Sequence, residues 1–274
     1  MRNYQQLEVE RSNRDLWTVT FSNPPINLLD PATIGELLGL VCEIESDQAP
    51  KVVVFQSTDP DFFIAHYDTT KANEAAITSA ATGHGPWIDF VLRLSSAPTV
   101  SIAKIRGRTR GVGNEFALAC DMRFASRQKA IFGNPEIGVG LLPGGGALEW
   151  LPRLVGRSRA LEIVLSGDDF DADTAECYGW VNRSLDDSEL DAFVSKLANR
   201  LSSYDRQAIS AVKGLVNRIG VPHASELETS SEIFRAAISW PGVAVRLSKV
   251  SKLGYGVRSD FELNFGRFLP TLQP

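Results

Sequence analysis

Apolar positions along the chain follow two spacings, and these alternate through roughly its first two thirds. Leu16-Trp17-Thr18-Val19-Thr20-Phe21 is rich in aromatic and β-branched residues and runs into Asn23-Pro24-Pro25, which predicts a strand closed by a turn. Asp30 can then cap a helix and Pro31 can take its first position, while Ile34, Leu37, Leu38, Val41 and Ile44 recur on one helical face. The continuous apolar runs Val52-Val53-Val54-Phe55 and Pro98-Thr99-Val100-Ser101-Ile102-Ala103 predict strands buried on both faces. A helical pattern over 115–120, the strand-like Met122-Arg123-Phe124-Ala125 and the glycine-rich Leu142-Pro143-Gly144-Gly145-Gly146 continue the rhythm. From about Asp187 the strand and glycine signals fade, and amphipathic stretches over 190–201 and 206–218 predict helices. The pattern as a whole is that of an α/β protein with a helical C-terminal region.

Composition narrows the function class. With 43% hydrophobic and 22% charged residues over 274 positions, the chain can bury a sizeable core, and no Pro/Ser-rich linker divides it. A net charge of −5 gives no global attraction to nucleic acid or anionic membranes. Lys104, Arg106, Arg108 and Arg110 form one local basic cluster that needs its own explanation. The polar start over 1–13 lacks a signal-like apolar segment and no run is long enough to span a bilayer, so a cytoplasmic placement is expected. Cys42, Cys120 and Cys177 are widely spaced in apolar surroundings, which predicts buried thiols rather than a disulfide or a metal site.

Chemistry concentrates in Gly107-Arg108-Thr109-Arg110-Gly111-Val112-Gly113-Asn114-Glu115-Phe116-Ala117-Leu118-Ala119-Cys120-Asp121, where a glycine-rich turn runs straight into an apolar helix. The first N–H groups of a helix have no intrahelical acceptor, the helix dipole favours negative charge there, and glycine permits close approach to the backbone. A dinucleotide fingerprint would need glycine where Phe116 stands, and a P-loop would need Gly-Lys-Ser/Thr. The segment is better suited to a backbone oxyanion hole. His66, with only His84 and His223 for company, has no metal-ligand spacing and no nucleophile elbow nearby.

This segment resembles that of the crotonase, or enoyl-CoA hydratase/isomerase, superfamily, whose members carry a similar Gly-rich turn followed by Glu, an apolar helix and Asp. Other motifs fall in family order. Asn23-Pro24-Pro25-Ile26-Asn27-Leu28 resembles the opening turn, and Phe62-Phe63-Ile64-Ala65-His66-Tyr67 resembles the first oxyanion loop, usually Phe-x-Ala-Gly-x-Asp. Phe132-Gly133-Asn134-Pro135-Glu136-Ile137-Gly138, the Gly144 turn and Gly179-Trp180-Val181 follow, so the resemblance covers roughly 15–185.

The resemblance implies that the backbone N–H groups of His66 and Val112 receive a thioester oxygen and that Glu115 and Glu136 are the catalytic acid/base pair. It places Ile64, Ala65, His66, Tyr67, Asp68, Gly111 and Gly144 along the CoA thioester. The chain departs from the pattern at Ala65, where glycine is usual, and at Tyr67, where aspartate is usual, with Asp68 one position beyond. Val112 also replaces a glycine and adds a side chain beside the hole. Arg108 and Arg110 fit CoA phosphates or a carboxylated acyl group, but structural ion pairs are the commoner use of such residues.

By resemblance the expected fold is a ββα superhelix over 1–203, with a helical oligomerisation region over 204–274 and assembly as a homotrimer or dimer of trimers. The expected activity is hydration of a 2-enoyl-CoA, with no metal and no cofactor other than the CoA of the substrate, and with neither nucleic acid nor membrane as partner. The enzymatic alternatives are an enoyl-CoA isomerase or another CoA lyase or hydrolase on the same hole. The alternative from another class is a non-catalytic scaffold or RNA-binding protein, supported only by the arginine cluster.

Overall fold

The computed structural model describes residues 4–46, 49–74 and 82–272, leaving the first three residues of the polar start and the last two of the C-terminal region outside the described residues. The chain opens with β1 (Leu7–Glu10), β2 (Leu16–Phe21) and α1 (Pro31–Ile44). As its sequence predicts, α1 is capped by Asp30, whose carboxylate accepts the Thr33 N–H at 2.8 Å, with Pro31 in the first turn.

Three ββα units follow. They comprise β3 (Val52–Ser57), β4 (Phe62–Ile64) and α2 (Pro86–Ser96); β5 (Val100–Ile105), β6 (Arg108–Arg110) and α3 (Val112–Ala119); and β7 (Met122–Ser126), β8 (Ile131–Gly133) and α4 (Ala147–Val155). In each unit the first strand joins a six-stranded sheet of order β1-β2-β3-β5-β7-β10 and the second joins a four-stranded sheet of order β4-β6-β8-β9. Within the units all neighbouring strands are parallel; only the outer pairs β1/β2 and β8/β9 are antiparallel. The chain then passes through α5 (Arg157–Ser166), β9 (Phe170–Asp171), α6 (Ala172–Tyr178) and β10 (Arg183–Leu185).

The remainder is helical: α7 (Asp187–Ser202), α8 (Arg206–Gly220), α9 (Ala224–Ala237), α10 (Val243–Ser251), α11 (Asp260–Leu263) and α12 (Phe265–Phe268). No described helix is long and apolar enough to cross a membrane.

Five phenylalanines fix α3 in the centre. Phe116 is fully buried, with ring centroids 5.0 to 6.2 Å from Phe55, Phe21, Phe90 and Phe63. The buried Arg123 guanidinium holds the far end of α3, donating to the carbonyls of Ala117 at 3.1 Å and Cys120 at 2.7 Å. A helix fixed at its middle and its C-terminus presents its N-terminus without freedom to drift.

Two expectations are corrected. Cys120 is buried, but Cys42 and Cys177 are exposed, because they stand on the solvent sides of α1 and α6 although their sequence neighbours are apolar. The basic cluster is not one patch. Lys104 and Arg106 bind Asp187 and Asp191 of α7, whereas Arg108 and Arg110 turn towards the second sheet's neighbours, α11 and Asp169. The feature that supported an RNA-binding alternative is thereby taken up by internal partners.

Candidate active site

The four-stranded sheet places β6 between β4 and β8, all parallel, so the C-terminal ends of these three short strands lie side by side. Directly beyond β4 comes Ala65-His66, beyond β6 comes Gly111-Val112, and beyond β8 comes Asn134-Pro135-Glu136. Three segments far apart in sequence therefore reach one place by topology alone.

Close approach of backbone replaces side chains at this junction. A Cβ on Gly113 would fall well inside contact distance of the Ile64 carbonyl oxygen and 2.8 Å from Ile64 Cβ, so the first turn of α3 rests on the end of β4. Gly111 adopts φ +50°, ψ −123°, a backbone conformation that side-chain-bearing residues avoid. A Cβ there would meet Glu136 Oε1 at 2.8 Å and His66 Cβ at 4.0 Å. Gly111 is thus the point at which the loop after β4, the turn into α3 and the glutamate after β8 converge.

The N–H groups of His66 and Val112 have no acceptor among the described residues, whereas the neighbouring Ala65 and Asp68 N–H groups bond to the carbonyls of Asn27 and Leu29 at 3.2 and 2.9 Å. His66 is only 4% exposed, and Ile64 and Ala65 are buried with it. Tyr67 and Asp68 lie farther out, where the Asp68 carboxylate accepts from the Thr70 backbone and hydroxyl.

Glu115 lies in a helix whose residues from Gly113 to the C-terminal end are all buried, and it is itself 4% exposed. Its Oε1 accepts the N–H groups of Gly145 at 2.7 Å and Ala147 at 3.3 Å. Burial, and after it the charge of Glu136, push the Glu115 carboxyl far above the usual carboxylate range, to about 8; the two amide hydrogen bonds only partly offset this. Glu136 opens a 3-10 turn over Pro135–Val139. One of its oxygens, Oε2, is enclosed without a hydrogen-bond partner among the described residues. Burial raises its carboxyl to about 7, moderated by its own backbone, the Asn134 side chain and, through space, His66.

In the glycine-rich turn, Gly144 and Gly145 face different neighbours. Gly144 faces α9, where a Cβ would run into the Phe234 ring, with Phe234 Cγ 2.7 Å away. Gly145 faces the glutamate: a Cβ there would collide with the Glu115 carboxylate and the Trp87 indole nitrogen. Trp87 itself donates to the Gly145 carbonyl at 3.0 Å.

Residues outside the motifs complete the surroundings. Asn114, buried, donates to Asn134 Oδ1 at 2.7 Å and accepts the Trp180 indole N–H at 2.9 Å, tying the start of α3 to the residue before the Glu136 turn. From the C-terminal region Glu262 reaches His66 Nε2 at 2.9 Å, and Tyr255 stacks on the His66 ring at 4.2 Å. Among the described residues no three His, Cys, Asp or Glu side chains stand together as a metal site requires.

Comparisons with known proteins identify the family. The enoyl-CoA hydratase/isomerase family model matches residues 11–239. A short-chain-enoyl-CoA hydratase of Clostridium acetobutylicum is 32% identical over 224 residues, 79% of this chain and 85% of that protein. A crotonyl-CoA hydratase of Syntrophomonas wolfei is 30% identical over 218 residues, 78% of this chain and 82% of that one. A Streptomyces avermitilis protein solved as a candidate enoyl-CoA hydratase superposes with a TM-score of 0.95 at 42% identity, covering 100% of this chain and 99% of its own. With a crotonase-type ββα spiral and a family match across most of its length, the chain belongs to the enoyl-CoA hydratase/isomerase family of enzymes.

Proposed function

We propose that this enzyme hydrates 2-enoyl-CoA thioesters, with the thioester oxygen received by the N–H groups of His66 and Val112 and with Glu115 and Glu136 beside the double bond. The observation that carries the reading is the pair of enclosed carboxyls, both raised towards neutrality, next to two N–H groups that have no acceptor among the described residues. Hydration needs that combination. As water adds at the β carbon, one carboxylate takes a proton from it, the other carboxyl delivers its proton to the α carbon, and negative charge passes through the thioester oxygen. Each backbone donor aimed at that oxygen contributes on the order of a hundredfold or more to rate. The pair begins and ends each turnover with one shared proton, so its singly ionised form is the active one.

The CoA enters as part of the substrate, its acyl end led past Ile64, Ala65 and Gly111 and its nucleotide end towards Tyr67 and Asp68. The exposed apolar face of α8, with Val212, Leu215, Val216 and Ile219, supports assembly as a homotrimer or dimer of trimers.

A panel of 2-enoyl-CoA thioesters of increasing chain length, followed by loss of the conjugated absorbance, tests the activity; turnover is expected on at least one, and none on any would refute it. A gain of conjugation from 3-enoyl-CoA without hydration would identify an isomerase instead.

The rate should also follow a narrow bell against pH. Below about 7 the pair gains its second proton and loses its base, and above about 8 it loses the last proton and with it the acid. We expect kcat/KM to peak between these limbs; a profile flat from pH 5 to 9, within about threefold, would contradict shared titration of the pair.

A further inference from the structure

The His66 side chain plays no part in the proposed donation, which uses only its backbone, yet it is one of the most elaborately held groups in the molecule. Nδ1 faces the Tyr67 carbonyl at 2.9 Å and Nε2 faces Glu262 Oε1 at 2.9 Å, while the ring stacks on Tyr255 and meets Phe265 edge-on. A carbonyl only accepts, so Nδ1 must donate to it. One further proton then lies between Nε2 and Glu262 Oε1, an oxygen that already accepts the Gly256 N–H at 2.7 Å. Glu262 is fully buried, and its second oxygen has no hydrogen-bond partner among the described residues. A buried carboxyl with an idle oxygen calls for an explanation beyond packing.

The helix that carries Glu262 is itself fastened to the strand that leads into Gly111. The fully buried Arg110 of β6 donates to the Glu262 carbonyl at 2.6 Å and, with its remaining nitrogens, grips the Asp169 carboxylate at 2.6 and 2.7 Å. Arg108 of β6 donates to the Leu263 carbonyl at 2.8 Å. A continuous tie therefore runs from β6 through α11 to the His66 ring, and both ends of it carry a proposed oxyanion donor: Val112 just beyond β6, and His66 itself.

We infer that Glu262 is a positioning residue of the active site, fixing the His66 ring and thereby the spacing of the two N–H donors. This rests on the assignment of those donors above. It gives the C-terminal region a direct duty in its own chain's site, beyond any part in assembly. Glutamine is a stringent probe at this position, because an amide cannot both accept from Gly256 and supply the proton facing Nε2 through the same atom.

The test is a double-mutant cycle of Glu262→Gln and His66→Ala, read with crotonyl-CoA turnover, with butyryl-CoA binding, and with the near-ultraviolet absorbance of acetoacetyl-CoA, whose bound enolate reports stabilisation of an oxyanion without requiring turnover. Glu262→Gln should lower both kcat and the bound enolate fraction about tenfold or more, with butyryl-CoA affinity within about threefold of wild type. In the His66→Ala background the same change should alter neither by more than about twofold. An equal loss in both backgrounds, or no loss in a folded Glu262→Gln enzyme, overturns the inference. Should Glu262→Gln fail to fold, Glu262→Asp takes its place in the cycle under the same criteria. A wild-type enolate signal that depends on Glu262 without any enoyl-CoA turnover would retire hydration and leave the positioning role standing; no wild-type enolate signal would retire both.

Discussion

Glu115→Gln and Glu136→Gln should each lower kcat by about a hundred- to ten-thousandfold while leaving butyryl-CoA affinity within a few fold, because in the proposed mechanism the side chains act on protons and the thioester oxygen is received by backbone. The same substitutions should show a second, opposite effect on stability. In the unfolded chain a glutamate titrates near 4.5, whereas folding raises Glu115 to about 8. A carboxyl raised in this way helps the folded state fully at pH below the unfolded value, and that contribution is lost as pH climbs through the folded one. Every tenfold loss of acidity on folding corresponds to about 1.4 kcal/mol, so at pH 8 and above Glu115 costs the fold on the order of a few kcal/mol that glutamine would not. The Gln carbonyl can still accept from Gly145, so Glu115→Gln should melt several degrees higher than wild type at pH 8, and the advantage should vanish near pH 4. Thermal unfolding across pH checks this, and a variant less stable than wild type at every pH would mean that the carboxylate is structural.

The burial behind that expected trade of stability for reactivity is partly legible in the sequence. Phe116-Ala117-Leu118-Ala119-Cys120 has no polar side to turn outward, so a glutamate at its head has to be buried, and the Gly-rich turn announces unpaired N–H groups. The alternation of strand pairs and helices is legible for a related reason: a parallel strand covered on both faces must be apolar throughout, as residues 52–55 are. The position of Glu136 over Gly111 is not readable from spacing, because it depends on β8 lying beside β6 in a second sheet.

What stays hidden is contributed across long separations. Glu262 stands three residues after Ser259, whose hydroxyl accepts the Glu262 N–H, and that pattern reads as ordinary helix capping. Its side chain instead meets a histidine 196 positions earlier. Arg108 and Arg110 show their charge in the sequence but not their partners, 59 positions away for Asp169 and 155 for Leu263. Trp87 and Gly145 do not stand out because a tryptophan in a helix normally signals core packing, and nothing local distinguishes the middle glycine of three. The exposure of Cys42 turns on which side of α1 it takes, next to the Arg93 guanidinium at 3.2 Å, and hydrophobic neighbours do not decide that.

Gly113→Ala should strongly reduce turnover while leaving the protein folded. The new Cβ would have to share space with the Ile64 carbonyl and lie 2.8 Å from Ile64 Cβ, and neither can swing away as a long side chain would. Relief requires the end of β4 and the start of α3 to part by about 1 Å, the difference between overlap and ordinary contact. Phe116 and Arg123 pin the helix from behind, so the displacement falls on Ile64-Ala65-His66, and with it on one of the two proposed donors. A misplacement of that size costs about a hundredfold in rate, and the overpacking itself costs about 1–3 kcal/mol. The signature is therefore a folded enzyme, with melting lowered by several degrees and kcat reduced at least a hundredfold, whose bound acetoacetyl-CoA shows less enolate. Gly214, on α8 with open space around its Cα, supplies the control: Gly214→Ala should leave kcat unchanged and raise helix stability slightly. Equal turnover by the two variants would mean that close packing of α3 on β4 does not set the spacing of the N–H groups, and the backbone assignment of the hole would fall with it.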